Sequence, residues 1–152
     1  MRPSVIRAEY PAPATLPTAA VPAPASGSDI VTLDNAAAQG TCYFETWGDN
    51  VHVSSFEASG HGWWENGNCP ATLAVVTVQL QEYYSDGAWR NIGSLGQATV
   101  YSGGGGNRAT GRVDCFDGTT TSWRSVVDVD LVGIPDDPGK YITPYKDIAC
   151  RR

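Results

Sequence analysis

Hydrophobic and polar side chains alternate through residues 71–84, ATLAVVTVQLQEYY, in the middle of the chain. One parity is apolar, with Ala74, Val76, Val78 and Leu80, and the other is polar, with Thr77, Gln79 and Gln81. A period of two residues predicts a β-strand that buries one face and exposes the other. The Ser-Asp-Gly sequence that follows at 85–87 is typical of a hairpin turn, so this strand is expected to pair with the next apolar run.

Similar alternation occurs later in the chain, in residues 108–116 and 121–133, on either side of an Asp-Gly pair. We expect these two segments to form a second hairpin that brings two arginines opposite two aspartates: Arg108, Arg112, Asp128 and Asp130. A strand over about residues 51–64 and a last extended segment over 141–150 bring the expected total to about seven or eight strands. Short strands separated by turn residues are typical of an antiparallel sandwich.

The composition favours the same architecture. The 152 residues include 17 glycines, 10 prolines and one methionine, and 17% of them are charged. Many turn residues and few helix formers suit short strands. We therefore predict an all-β protein, with an antiparallel β-sandwich over residues 39–152. Within it we expect Trp63 and Trp123 in the core. Trp64 and Trp89 are expected to be at least partly exposed.

Residues 1–38 are rich in proline and alanine, and prolines disfavour the interiors of both helices and sheets. We predict that this segment is an extended N-terminal arm that docks on a partner protein. Its sizeable apolar side chains are the expected anchors: Val5, Ile6, Tyr10, Leu16 and Val21. The Ala-Pro-Ala sequence at 23–25 also resembles a signal-peptidase site, so residues 1–25 are either a remnant export signal or part of a mature arm.

The chain has four cysteines, at positions 42, 69, 115 and 150, and none of them forms a CxxC pair. An even number without metal-binding spacing predicts two disulfides, and hence an oxidising compartment such as the cell exterior. Three pairings are open. Pairing in sequence order, Cys42 with Cys69 and Cys115 with Cys150, is favoured because each bridge then closes a loop of a few tens of residues, worth about 3–4 kcal/mol.

The net charge of −6 argues against nucleic acid as a partner, because such binding needs a basic face that displaces counterions from phosphates. An anionic membrane surface is disfavoured for the same reason. No stretch of the sequence approaches the roughly 18 consecutive apolar residues that crossing a bilayer requires. We expect neither nucleic acid nor a membrane as a partner.

Catalytic, cofactor and metal motifs are not visible in the sequence. His52 and His61 are the two histidines, and on one regular strand their separation of nine would place them on opposite faces. Neither a metal site nor a catalytic pair is therefore expected. The sequence also lacks a nucleophile elbow and HExxH. We predict a non-catalytic protein without a cofactor or a metal.

Aromatic residues cluster around the first predicted hairpin. Tyr83, Tyr84 and Trp89 lie near its turn, and Trp64 precedes it in the chain. Exposed aromatic side chains at loop ends can stack on sugar rings or anchor a protein interface. These four residues form a candidate surface aromatic site.

Four stretches carry a resemblance to small secreted proteins of actinobacteria: VHVSSFEASGHGWW, AVVTVQLQEYYSDGAWRNIG, SGGGGNRATGRVDC and WRSVVDVDLVG. The resemblance spans residues 51–150 and includes no catalytic motif. Some proteins of this kind are the small linking subunit of umbrella-shaped secreted antibacterial toxin particles. There, a β-sandwich with an extended N-terminal arm joins a lectin-bearing, protease-like subunit to the large toxin chain. The resemblance thus implies an adaptor within a secreted complex.

A more distant similarity is to the small actinobacterial amylase inhibitors, which are two-disulfide β-sandwiches with an inhibitory Trp-Arg-Tyr triplet. Here Trp89 and Arg90 are followed by asparagine, and Trp123 and Arg124 by serine, so the triplet is absent. Amylase inhibition is therefore not expected.

The expected function is that of a secreted, non-catalytic adaptor that joins protein subunits through its N-terminal arm. Two alternatives stay open. One is a carbohydrate-binding module that uses the aromatic site. The other is an inhibitor of a secreted hydrolase that inserts a loop, residues 103–107 or 117–122, into the target's cleft.

Overall fold

The computed structural model describes residues 3–11 and 39–152, which form ten β-strands and no α-helix. The strands are β1 (Ser4–Pro11), β2 (Gln39–Gly48), β3 (His52–Ser54), β4 (Glu57–Asn66), β5 (Leu73–Tyr83), β6 (Trp89–Tyr101), β7 (Ala109–Asp114), β8 (Asp117–Leu131), β9 (Tyr141–Ile142) and β10 (Lys146–Arg151). None of the described residues belongs to a helix able to cross a membrane. The prediction of an all-β fold is confirmed.

Two antiparallel sheets of five strands pack against each other. The first has the order β1-β2-β4-β3, with β7 on the other edge of β4. The second has the order β10-β8-β5-β6, with the short β9 also paired to β8. The sandwich thus exceeds the expected seven or eight strands because β1 and β9 join the sheets and the region before Trp64 divides into β3 and β4.

The core lies between the sheets and follows the predicted alternation. Every second residue of β5 from Ala74 to Leu80 is buried, as is every second residue of β8 from Trp123 to Leu131. The predicted turn at residues 85–87 also forms, with Gly87 at φ 81°, in the left-handed region that favours glycine. Pairing of β5 with β6 across this turn is confirmed.

Trp64 lies in the core, which corrects the expectation that it is exposed. It is fully buried, contacts Phe44 edge to face with ring centroids 6.3 Å apart, and donates a hydrogen bond from Nε1 to the Val100 carbonyl at 3.0 Å. Trp63, expected in the core, is half-buried on the outer face and stacks on Trp47. Trp123 is buried and Trp89 is partly exposed, as predicted.

Two glycines explain why the even-numbered residues of β4 up to Trp64 face the core. Gly60 and Gly62 share the core face with Trp64, and a Cβ on Gly62 would lie 2.5 Å from Cγ1 of Val127 in the opposite sheet. At Gly60 a Cβ would lie 2.3 Å from Ser125 Oγ. The sheets therefore approach too closely here for any side chain, and the intervening residues of β4 face outward.

Strand β1 changes the predicted division of the chain at residue 38. Ser4–Pro11, predicted to be part of the free arm, pair along their whole length with β2. The outer edge of β1 also pairs with the loop after β8, where the Glu9 and Asp137 amides donate to Pro135 and Arg7 carbonyls. The sandwich therefore includes residues 4–11, while residues 12–38 lie outside the described residues.

The expected hairpin between residues 108–116 and 121–133 is wrong, because the two segments belong to different sheets. Strand β7 pairs with β4 in the first sheet, whereas β8 pairs with β5 and β10 in the second. The expected charge pairs do not form between them. Instead Arg112 lies 3.7 Å from Glu57, and Lys140 lies 3.5 Å from Asp128.

Both disulfides form in the predicted sequential pairing. Cys42 of β2 joins Cys69 in the loop after β4, so this bridge ties a strand to a loop beside its own sheet. Cys115 follows β7 of the first sheet and joins Cys150 in β10 of the second. The second bridge therefore links the two sheets at one end of the sandwich.

Candidate functional site

An open cleft of about 500 Å³ lies on the second sheet, where the ends of four strands meet. The cleft is lined by the end of β5, the start of β6, parts of β8 and β10, and the loop between β9 and β10. The lining residues are Tyr83, Trp89, Ser122, Arg124, Thr143, Pro144, Tyr145 and Asp147. Its volume lies within the range of about 300–1,000 Å³ typical of small-molecule sites. The cleft is therefore the candidate functional site.

Three aromatic rings give the cleft its apolar surface. The centroids of Tyr83 and Trp89 are 5.2 Å apart, and those of Trp89 and Tyr145 are 6.3 Å apart. Tyr83 is 44% exposed and Tyr145 is 64% exposed, whereas Trp89 between them is half-buried. A central ring held by two neighbours is fixed in orientation, so the aromatic surface of the cleft is preorganised.

Alternation in β8 places the polar side chains of the cleft. Even-numbered residues of β8 face outward because the odd-numbered ones fill the core, so Ser122 and Arg124 both reach the outer face. The Ser122 hydroxyl donates a hydrogen bond to Oδ1 of Asp147 on the neighbouring strand β10. This pair fixes a carboxylate at the rim of the cleft.

Arg124 lines the cleft and lies against Trp89. Its guanidinium lies 4.2 Å above the centre of the Trp89 ring, and its Nε donates to Gln81 Oε1 at 2.7 Å. Burial lowers the pKa of Arg124 from its ordinary value. A cation held over an aromatic face gains roughly 0.5–2 kcal/mol and keeps further N–H donors free for a ligand.

The candidate surface aromatic site of the sequence is only partly assembled. Tyr83 and Trp89 lie together in the cleft, as expected of neighbours across a hairpin. Tyr84 is adjacent but faces away: its hydroxyl donates to the Arg152 carbonyl at 3.3 Å, and Arg90 lies over its ring. Trp64 is in the core and contributes nothing to this surface.

Sequence reasoning missed Tyr145 and Arg124 as site residues. Tyr145 lies in the irregular segment before β10, which the alternation pattern does not place. It reaches Trp89 because β10 pairs with the first half of β8, a contact between distant parts of the chain. The alternation in β8 predicts that the Arg124 side chain faces outward, but the sequence does not show which side chains lie beside it on the neighbouring strands.

The predicted arm anchors divide into three groups. Ile6 is 5% exposed and packs in the sandwich core, which corrects its assignment as an anchor for a partner. Tyr10 is half-buried against that core, and Val5 is 65% exposed on the outer face of β1. Leu16 and Val21 lie outside the described residues.

A scan against protein-family models found no match, and searches of curated proteins and of solved structures also found none. Function must therefore be inferred from the cleft and the surfaces around it.

Proposed function

We propose that this protein is a saccharide-binding module of an oxidising, extracellular compartment, and that the cleft around Trp89 holds the sugar. The observation that carries the proposal is the combination of three convergent aromatic rings with Arg124 and Asp147 in one open cleft. The two disulfides support the compartment, because such bonds persist where thiols are not kept reduced.

A pyranose has an apolar C–H face and a ring of hydroxyl groups at its edge. The sugar's C–H face would pack on the side of the Trp89 ring that Arg124 does not cover, since a large aromatic side chain supplies contact area at a low cost in conformational entropy. Arg124 then donates to sugar oxygens, and the Asp147 carboxylate accepts from sugar hydroxyls. An apolar floor with a few oriented polar groups is the usual composition of a small-ligand site.

The experiment is calorimetric titration with a panel of soluble oligosaccharides, followed by substitution of the central ring. Trp89→Ala should weaken binding by at least about 30-fold, because a central aromatic anchor contributes about 2 kcal/mol or more. Tyr101→Ala is the matched control, since Tyr101 is 60% exposed on the same strand and does not line the cleft.

Tyr145→Ala supplies a second variant, because Tyr145 is exposed and its loss should leave the fold intact. Equal thermal unfolding temperatures for wild type and Tyr145→Ala establish that any lost binding is local. Absence of binding across neutral, acidic and amino sugars, or undiminished binding by Trp89→Ala, would contradict the proposal.

A second observation favours the adaptor role that the resemblance implies. Phe56 and Phe116 are 71% and 82% exposed, and their backbone segments are adjacent because the Cys115 amide donates to the Phe56 carbonyl at 2.8 Å. We call these two side chains the phenylalanine patch. Phe56 also has φ 60°, which is strained for a bulky residue. Exposed aromatics of this kind fit an interface with another secreted protein.

A further inference from the structure

The connection between β2 and β3 contains a β-bulge that the sequence pattern does not show. Gly48 of β2 pairs with Gly62 of β4, and His52 of β3 pairs with Ser59 of the same strand. Three residues, 49–51, therefore lie opposite two, 60 and 61. An extra residue on one strand redirects its side chains, and bulges are enriched next to functional sites for that reason.

The bulge and the turn after it bring both histidines to one face. Ser55 and Phe56 adopt positive φ and reverse the chain, so His52 and His61 lie on adjacent strands rather than on one. His52 lies opposite Ser59, which shares its face of β4 with His61. The rings stack with centroids 5.3 Å apart and planes 21° apart. The expectation that they face opposite sides of a single strand is therefore wrong.

Asp49, in the bulge, completes the group. Its Oδ1 accepts the backbone N–H of His61 at 2.7 Å, and its Oδ2 accepts a hydrogen bond from His61 Nδ1, also at 2.7 Å. The His61 side chain is 9% exposed and that of Asp49 is 31% exposed. The carboxylate and this imidazole are thus held in fixed orientation on the outer face of the first sheet.

His52 is the variable member of the group. It is exposed on a three-residue strand, and its Nδ1 lies 3.3 Å from the Asn50 carbonyl. One ligand atom from each of the three side chains lies within 4.8 Å of the others. A tetrahedral ion with ligand bonds of about 2.0–2.2 Å requires these atoms to move closer together, which the short strand of His52 permits.

We propose that Asp49, His52 and His61 bind Zn²⁺ through one carboxylate oxygen and two imidazole nitrogens, with solvent at the fourth position. Imidazole ligands favour Zn²⁺ over Mg²⁺ and Ca²⁺, which take oxygen ligands. Coordination at His61 Nδ1 would place the ring proton on Nε2, so a neutral imidazole binds the ion without losing a proton. This site lies on the outer face of the first sheet, whereas the Trp89 cleft lies on the second, so the two proposals stand independently.

A purely structural role for these residues predicts a different outcome. The bond from His61 to Asp49 by itself stabilises the bulge, and it needs neither a metal nor His52. No hydrogen bond joins His52 to Asp49 or His61 among the contacts of the described residues. The contribution of His52 to metal binding therefore distinguishes a metal site from a structural contact.

The experiment is calorimetric titration of tag-free protein with Zn²⁺. Wild type should bind one ion, and Mg²⁺ should give no signal. His52→Gln and Asp49→Asn should each weaken Zn²⁺ binding by about 10–100-fold or more. Loss of a residue that only hydrogen-bonds to a metal ligand already weakens binding by this much. Asp137→Asn, an exposed carboxylate elsewhere, should bind as wild type does.

His52→Gln is the decisive variant because His52 is exposed and its loss should not affect folding. Imidazole nitrogen resonances in the NMR spectrum should shift for both histidines on addition of Zn²⁺. Failure of the wild type to bind Zn²⁺, or equal affinity in wild type and His52→Gln, would overturn the proposal.

Discussion

At the scale of single residues, Asp136 shows how burial sets a pH dependence. It follows β8, and its Oδ2 accepts the Leu131 amide at 2.9 Å. Burial raises its pKa to about 6, and repulsion from Asp130 and Asp128 adds to the effect, while the hydrogen bond from Leu131 opposes it. The folded state therefore favours the protonated carboxyl more strongly than the unfolded chain does.

The raised pKa of Asp136 makes the stability of the protein depend on pH. A pKa raised on folding gives a contribution that is complete below the ordinary value of 3.8 and is lost as pH rises through about 6. Asp136→Asn removes the titration and keeps an oxygen for the Leu131 amide. Urea unfolding across this interval should show a smaller loss of stability for the variant than for wild type. Parallel pH profiles would show that Asp136 does not titrate in this range.

Glu82 shows what the alternation pattern could and could not reveal. It occupies a core position in β5, in the same parity as Val76 and Leu80, and it is 1% exposed. The Thr121 hydroxyl donates to its Oε2 at 2.7 Å, and the Arg152 amide lies 3.2 Å from the same oxygen. A polar residue at a buried position is visible in the sequence, but its partners are not, because they come from β8 and from the C-terminus, both distant in sequence.

At the scale of elements, the sequence predicted those strands whose polarity alternates without interruption. The alternation identified the inward faces of β5 and β8 because one side of each packs in the core and the other does not. It failed over residues 51–64, where the Ser55–Phe56 turn has no glycine, proline or asparagine and two glycines occupy core positions. It also failed to join β1 to the sandwich, because pairing with β2 is a long-range contact.

Strand β1 gives a prediction that separates a structural strand from a free arm. Ile6 is buried and Val5, its neighbour in sequence, is 65% exposed, so the pair forms a matched comparison. Ile6→Ala should destabilise the protein by about 2–5 kcal/mol, as for other buried isoleucines. Val5→Ala should change stability by no more than about 0.5 kcal/mol. Chemical denaturation measures both, and equal effects would contradict the role of β1 as a core strand.

At the scale of the whole molecule, one end of the sandwich gathers several features that are distant in sequence. The inter-sheet disulfide lies there, beside the Phe56–Cys115 and Phe116–Arg151 backbone hydrogen bonds. Glu82 holds the Arg152 amide at the same end. The phenylalanine patch is thus carried by turns that are anchored covalently and by hydrogen bonds. An anchored backbone loses little conformational entropy on binding, which favours a protein partner.

The adaptor proposal predicts that a secreted partner depends on this patch. Tagged protein incubated with culture supernatant of its source organism should retain a protein that Phe56→Ser/Phe116→Ser loses, with retention reduced at least about 10-fold. Tyr101→Ser is the control, because Tyr101 is also exposed but lies on β6 away from both turns.

Deletion of residues 1–38 is unsuitable as a test, since it also removes strand β1 and the buried Ile6. Substituting Leu16 and Val21 together tests the arm without that loss. Retention that survives the phenylalanine changes but fails with the Leu16 and Val21 changes would assign the interface to the arm and exclude the patch.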